Sequence, residues 1–280
     1  MKPIVAITMG DPGGVGPEII LKSLREISLG KVIYMVIGSE EVFQYASECF
    51  HLDFRPHLIP TLERSFLDED QLNFLDITRE ATALYEKSFE EPPSKEEAFS
   101  IGKVSRWNAA LTYSALKVAA YQAACGLIDG VVTAPIHKGA IQLIEPKFSG
   151  HTEYLAKIAR VKEFAMMFVS ERLRVTLVTI HLPLKKVPRA LETGEIVTKI
   201  VLTNNFLTRY LKIKSPRIGV AALNPHGSEF GTEEEETIRP AVKLAQEKGL
   251  RVDGPFPGDQ IFHEAYEGHL DAVVAMYHDQ

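Results

Sequence analysis

The sequence predicts an α/β fold, a two-lobed α/β/α sandwich on a mostly parallel sheet, and three observations predict it. Short β-branched apolar runs alternate with longer stretches of helical periodicity, and that alternation places helices on the faces of a parallel sheet. The runs are apolar at successive positions rather than every second one, as a strand covered on both faces requires. A chain of 280 residues, 45% hydrophobic and 24% charged, has material for one large domain or two intimate lobes.

The first strand is expected over 3–9. Behind it, TMGDPGGVGPEI (8–19) turns into a helix, with Pro17 and Glu18 suited to its first turn. Amides at such a turn can face an anion. The glycines at 10, 13, 14 and 16 do not give GxGxxG, and no Gly-Lys-Ser/Thr follows, so neither a dinucleotide fingerprint nor a P-loop is present. A tight turn that needs glycine is the default reading. A second strand follows over 31–37. EEPPSKEE (90–97) is the one candidate loop or linker, since paired prolines and charges interrupt both periodicities. Val104, Trp107, Leu111, Ala115 and Val118 fall three or four apart and share one face of a helix. Further strands are expected over 130–133, 164–169, 175–180, 217–223 and 272–277. The lobes are expected to comprise 1–135 with 256–280, and 136–255, the latter carrying a dimer interface.

A net charge of −6 without a clustered excess of Lys and Arg excludes a nucleic-acid partner. Cys49 and Cys125 lie far apart without CxxC spacing, so no disulfide framework is expected and a reducing cytoplasm fits. The apolar start is too short for a signal peptide, and no long apolar stretch follows; no membrane partner is expected.

Four histidines stand beside strand patterns: His151 in SGHTEYLA, His181 in VTIHLPL, His226 in ALNPHGSE and His278 in VAMYHDQ. Residues just past the carboxyl ends of strands converge on the crevice of an open α/β sheet. One histidine in such a place is usually a structural hydrogen-bonding residue. Three imidazoles can supply a divalent ion with neutral nitrogens and leave a position open for substrate. Such donors suit zinc or cobalt, and a partly oxygen-ligated site would suit magnesium or manganese. His51, His57, His137, His263 and His269 sit in polar or loop contexts and are read as solvated or structural. Asp259 in PFPGDQIF and Asp279 beside His278 offer carboxylates for orienting, ligating or accepting a proton; a helix cap is the default for Asp259. Lys138 in VVTAPIHKG is an electrostatic candidate weighed evenly against a surface lysine.

Taken in order, ITMGDPGGVGPEI, VVTAPIHKGAI, SGHTEYLA, TIHLPL, ALNPHGSE, FPGDQIF and VVAMYHDQ resemble the 4-hydroxythreonine-4-phosphate dehydrogenase family over essentially the whole chain. The resemblance implies a fold related to isocitrate and isopropylmalate dehydrogenases, with NAD bound without GxGxxG. It implies a homodimer whose active site is shared between subunits. By motif, His181, His226 and His278 would bind the divalent metal, and His151 and Thr152 the substrate. Asp259 and Lys138 are the catalytic candidates read from the residues themselves, and no residue is assigned to the dinucleotide. The implied reaction is oxidation of 4-phosphooxy-L-threonine, a small phosphorylated substrate, with decarboxylation to 3-amino-2-oxopropyl phosphate in vitamin B6 synthesis. The metal would act there as a Lewis acid.

Two features depart from the family pattern. Family chains continue past YHDQ with a Gly- and Pro-rich stretch that contacts substrate and dinucleotide, so a truncated chain is expected. GSEFGTEEEE after His226 is shorter and less glycine-rich than the usual loop. Alternatives to the implied reaction are a paralogue acting on D-threonate or D-erythronate 4-phosphate, a phosphate acyltransferase, and an inactive binding protein.

Overall fold

Two five-stranded sheets, one in each of two units, carry the fold in a computed structural model that describes residues 1–27, 30–94 and 99–280. The first unit is Met1–Val161. Its strands are β1 (Ile4–Thr8), β2 (Ile33–Gly38), β3 (His57–Leu58), β4 (Asn73–Asp76) and β5 (Gly130–Thr133). Its helices are α1 (Gly16–Leu24), α2 (Glu40–Phe50), α3 (Thr78–Phe89), α4 (Arg106–Ala124), α5 (Lys138–Ile141) and α6 (His151–Ala159). The sheet order is β3-β4-β2-β1-β5, parallel throughout.

Ile33, Met35, Val36 and Ile37 of β2 are all buried, which is why this strand reads as an unbroken apolar run. On α4, Trp107, Leu111 and Ala115 belong to the main core of the unit. Tyr113, Leu116 and Ala120 of the same helix enter a second cluster with Phe148 and Tyr154. The one-faced helix expected from the sequence is therefore buried on two sides, and Val104 lies outside it, exposed.

The second unit, Lys162–Gln280, holds β6 (Met167–Val169), β7 (Arg174–Leu177), β8 (Ile218–Ala221), β9 (Val252–Phe256) and β10 (Ala272–Ala275). Its helices are α7 (Val187–Ala190), α8 (Thr193–Arg209), α9 (Arg239–Glu247) and α10 (Gly258–Tyr266). The order is β6-β7-β10-β8-β9, with the edge strand β6 antiparallel and the rest parallel.

The α/β class and the mostly parallel sheets agree with the sequence. The expected lobe limits do not. The segment 256–280, assigned to the first lobe, supplies β10 to the second sheet, where it hydrogen-bonds between β7 and β8; the division falls after Val161. Three strands were not expected: two-residue β3, β4 with its buried Asn73, and β9, whose Pro255 lacks a ladder donor and is tolerated at a sheet edge. Of the loop 90–97, residues 95–97 lie outside the described residues, and Glu90 ends α3 in the left-handed region at φ 59°. Cys49 and Cys125 are free and exposed. No described helix is long and apolar enough to cross a membrane.

Candidate functional site

In the second unit β7, β10, β8 and β9 run parallel, so their carboxyl ends share one edge of the sheet. His181 follows β7, His278 follows β10, His226 follows β8, and Asp259 follows β9. The topology thus brings four sequence-predicted residues to one edge, with His278 beyond the central strand.

Hydrogen bonds continue beyond the strands and hold these leads in place. Val178 N donates to Ala275 O at 2.9 Å and Thr179 N to Met276 O at 3.1 Å. The Thr179 hydroxyl donates to Met276 O as well, at 2.7 Å. The approaches to His181 and His278 therefore run side by side, and their ring centroids stand 5.9 Å apart with planes inclined by 36°. Phe168 meets His278 edge-on at 5.6 Å. His278 Nδ1 lies 3.3 Å from Asp279 Oδ1, a contact that leaves Nε2 for a ligand. Gln280 accepts from Met276 N at 2.7 Å and donates to Ala222 O, which ties the end of β10 to the end of β8.

The His226 turn rests on a buried carboxylate. Glu234, fully buried in a π-helical turn, Glu234–Ile238, accepts from Leu223 N at 2.9 Å and Asn224 N at 2.8 Å. Its other oxygen takes Asn224 Nδ2 at 3.0 Å. Glu233 also accepts from Asn224 Nδ2, at 2.9 Å. Its carboxyl is held below the usual carboxylate range by its own backbone amide first and by Asn224 second. His226 follows at φ 57°, a left-handed conformation uncommon for a residue with a side chain.

The rings of His181, His226 and His278 are all exposed. Among the described residues neither His181 nor His226 has a hydrogen-bond partner on its ring, whereas His137, His57 and His269 do. His137 caps α5 by accepting from Ala140 N at 3.0 Å, His57 meets Phe66 O at 3.0 Å, and His269 pairs with Glu264 at 2.8 Å. Exposed, unpartnered imidazoles suit a divalent ion in donor chemistry. In grouping the fit is partial: His181 and His278 are paired, and among the described residues no three His, Cys, Asp or Glu side chains come together to hold a metal ion.

Asp259 is exposed in the first turn of α10, whose cap position is Pro257. It is not the cap that the sequence suggested as default. Glu234, Asn224 and Gln280 were missed as supports, because a run of four glutamates reads as a solvated face and nothing in it marks which one turns inward.

In the first unit His151 and Thr152 open α6 behind Gly150. His151 Nε2 is buried without a hydrogen-bond partner, and burial lowers the imidazole pKa below 6.5. The unfolded chain therefore binds this proton more readily, so the contribution of the site to stability is present at neutral pH and declines as pH falls below the ordinary imidazole range. Thermal melts at pH 7.5 and pH 5 should show a larger loss for the parent than for His151→Gln; equal losses would refute the assignment. Lys138 opens α5, exposed. The glycine-rich turn is structural as expected: Gly10 takes φ 72°, and a Cβ on Gly16 would lie 2.2 Å from Met9 O.

Comparison with known proteins gives a concordant picture. A family model described as "Pyridoxal phosphate biosynthetic protein PdxA" matches residues 31–280. The D-threonate 4-phosphate dehydrogenase of Salmonella typhimurium is 37% identical over 283 residues, covering 99% of this chain and 81% of the relative. The 4-hydroxythreonine-4-phosphate dehydrogenase of Desulforapulum autotrophicum is 38% identical over 283 residues, covering 100% and 79%. The crystal structure of 4-hydroxythreonine-4-phosphate dehydrogenase from Klebsiella pneumoniae superimposes with a TM-score of 0.84 at 33% identity, covering 100% of this chain and 81% of that one.

Proposed function

The chain belongs to the PdxA family and is a dehydrogenase, and from that premise we propose that it oxidises the C3 hydroxyl of 4-phosphooxy-L-threonine with NAD. Decarboxylation of the resulting 3-oxo acid gives 3-amino-2-oxopropyl phosphate. The observation that carries this reading is the sheet edge at which His181, His278, His226 and Asp259 follow four parallel strands.

His181 and His278, whose rings are paired, would hold a divalent ion with His226 as the third ligand, in a homodimer in which one subunit completes its partner's site. When bound, the ion supplies Lewis acidity for the charge that develops on oxygen as hydride leaves. Asp259, an exposed carboxylate at the same edge, would take the hydroxyl proton; NAD, when bound, would supply the hydride acceptor. His151, neutral because burial disfavours its charged form, and the Thr152 hydroxyl orient the phosphorylated acid, aided by the first amides of α6. Lys138 adds a positive charge for an anionic group of the substrate.

A second reading, oxidation of D-threonate 4-phosphate, is supported by a relative of that name at 37% identity, against 38% for the 4-hydroxythreonine-4-phosphate dehydrogenase, each over 283 residues. Steady-state kinetics with both acids decide between them. The expected result is a kcat/KM about tenfold or more in favour of 4-phosphooxy-L-threonine. A preference for D-threonate 4-phosphate passes the assignment to the second reading, and no NADH from either acid defeats both.

A further inference from the structure

His181 opens a segment rich in cations. Lys185 and Lys186 lie in a single 3-10 turn, Leu184–Lys186, and Arg189 in α7. With Leu182 and Ala190 they line one open groove of about 520 Å³. All three cations are exposed, and among the described residues none has an acidic partner. Elsewhere in this unit Lys199 meets Glu195, Arg217 meets Asp271, and Arg239 meets Glu235. In a chain of net charge −6, three uncompensated cations in five positions leave a local positive potential, which a concave surface focuses.

We propose that this groove is an anion subsite that takes a phosphate group of a ligand reacting at the His181–His278 edge. Arg189 offers a planar fork that matches two phosphate oxygens, and the lysines add point charges. The proposal rests on the reading of the reaction as dehydrogenation of a phosphorylated acid by a dinucleotide. Both reactants carry the required chemistry, as a phosphomonoester and as a diphosphate.

The test compares the full chain with a Lys185→Gln, Lys186→Gln, Arg189→Gln triple variant. A Lys185→Gln, Lys186→Gln double variant serves if the triple fails to melt cooperatively. Calorimetric titration with inorganic phosphate and with pyrophosphate should show binding that weakens about tenfold or more in the variant and falls with added salt. Unchanged affinity overturns the subsite. In kinetics, a KM raised about tenfold for the phosphorylated acid alone identifies the monoester, and one raised for NAD alone identifies the diphosphate. If neither KM moves while the parent turns over, the subsite fails and the dehydrogenase reading stands. If the parent oxidises no phosphorylated acid, the dehydrogenase reading fails, and the calorimetric difference alone decides the groove.

Discussion

Replacing His278 with alanine should lower kcat/KM by about three orders of magnitude and leave the melting temperature within a few degrees of the parent, and His181→Ala should do the same. His278 follows the central strand β10, and the chain leading to it is held at Met276, whose amide donates to Gln280 and whose carbonyl accepts from Thr179, rather than by the imidazole ring. The ring is exposed and packs edge-on against an exposed Phe168, so its removal costs little packing; exposed substitutions away from special features stay within roughly 0.5 kcal/mol. What disappears is one of two paired nitrogen donors. A divalent ion contributes several kcal/mol of transition-state charge stabilisation, each 1.36 kcal/mol being tenfold in rate. The measurements are turnover with zinc, cobalt, magnesium or manganese supplied in excess, and metal content of the purified variants. Retention of bound metal and parental turnover in both variants would remove these histidines from the site.

The legibility of the fold followed burial. The run 31–37 announced β2 because both faces of that strand are covered, whereas Val252–Phe256 carries an aspartate, a glycine and a proline because β9 is an edge that tolerates a missing donor. Asn73 sits fully buried in β4, satisfied by contacts to Tyr34, Asp68 and Gln71. Such a residue cannot be told from a loop polar residue by periodicity. The misplaced segment 256–280 shows a different limit: its strand is plainly readable, but which sheet it joins is decided by pairing with β7 and β8, remote in sequence.

The candidate site divides in the same way. Strand-end histidines were visible as such, because residues beyond the carboxyl ends of parallel strands are few and their polar types stand out against apolar runs. Their supports were not visible. Gln280 works through its side-chain amide across to Ala222, and Lys185, Lys186 and Arg189 become a cluster only when a short turn folds them around one groove. A whole-chain charge of −6 hides a local excess of the opposite sign.

Glu234 provides the second large effect. Glu234→Ala should cost about 3 kcal/mol or more of stability, lowering the melting temperature by roughly 6 °C or more, and should also weaken metal binding and turnover about tenfold to a hundredfold. The carboxylate is fully buried and takes three donors, two of them backbone amides at the start of the His226 turn. Removing it strands those donors away from water, where each unsatisfied one costs about 1–3 kcal/mol before relaxation. The turn it holds ends in a non-glycine residue with positive φ, a conformation that persists only while its surroundings enforce it. Glu234→Gln, which keeps an oxygen for the two backbone amides, should lose less than half as much stability. His226→Ala separates the two consequences, since it should reduce turnover without a comparable shift in melting. Urea titrations of the three variants, run beside metal titrations, read both effects. Parental stability in Glu234→Ala would show that the turn does not depend on this carboxylate, and the link from a buried glutamate to the placement of His226 would then be broken.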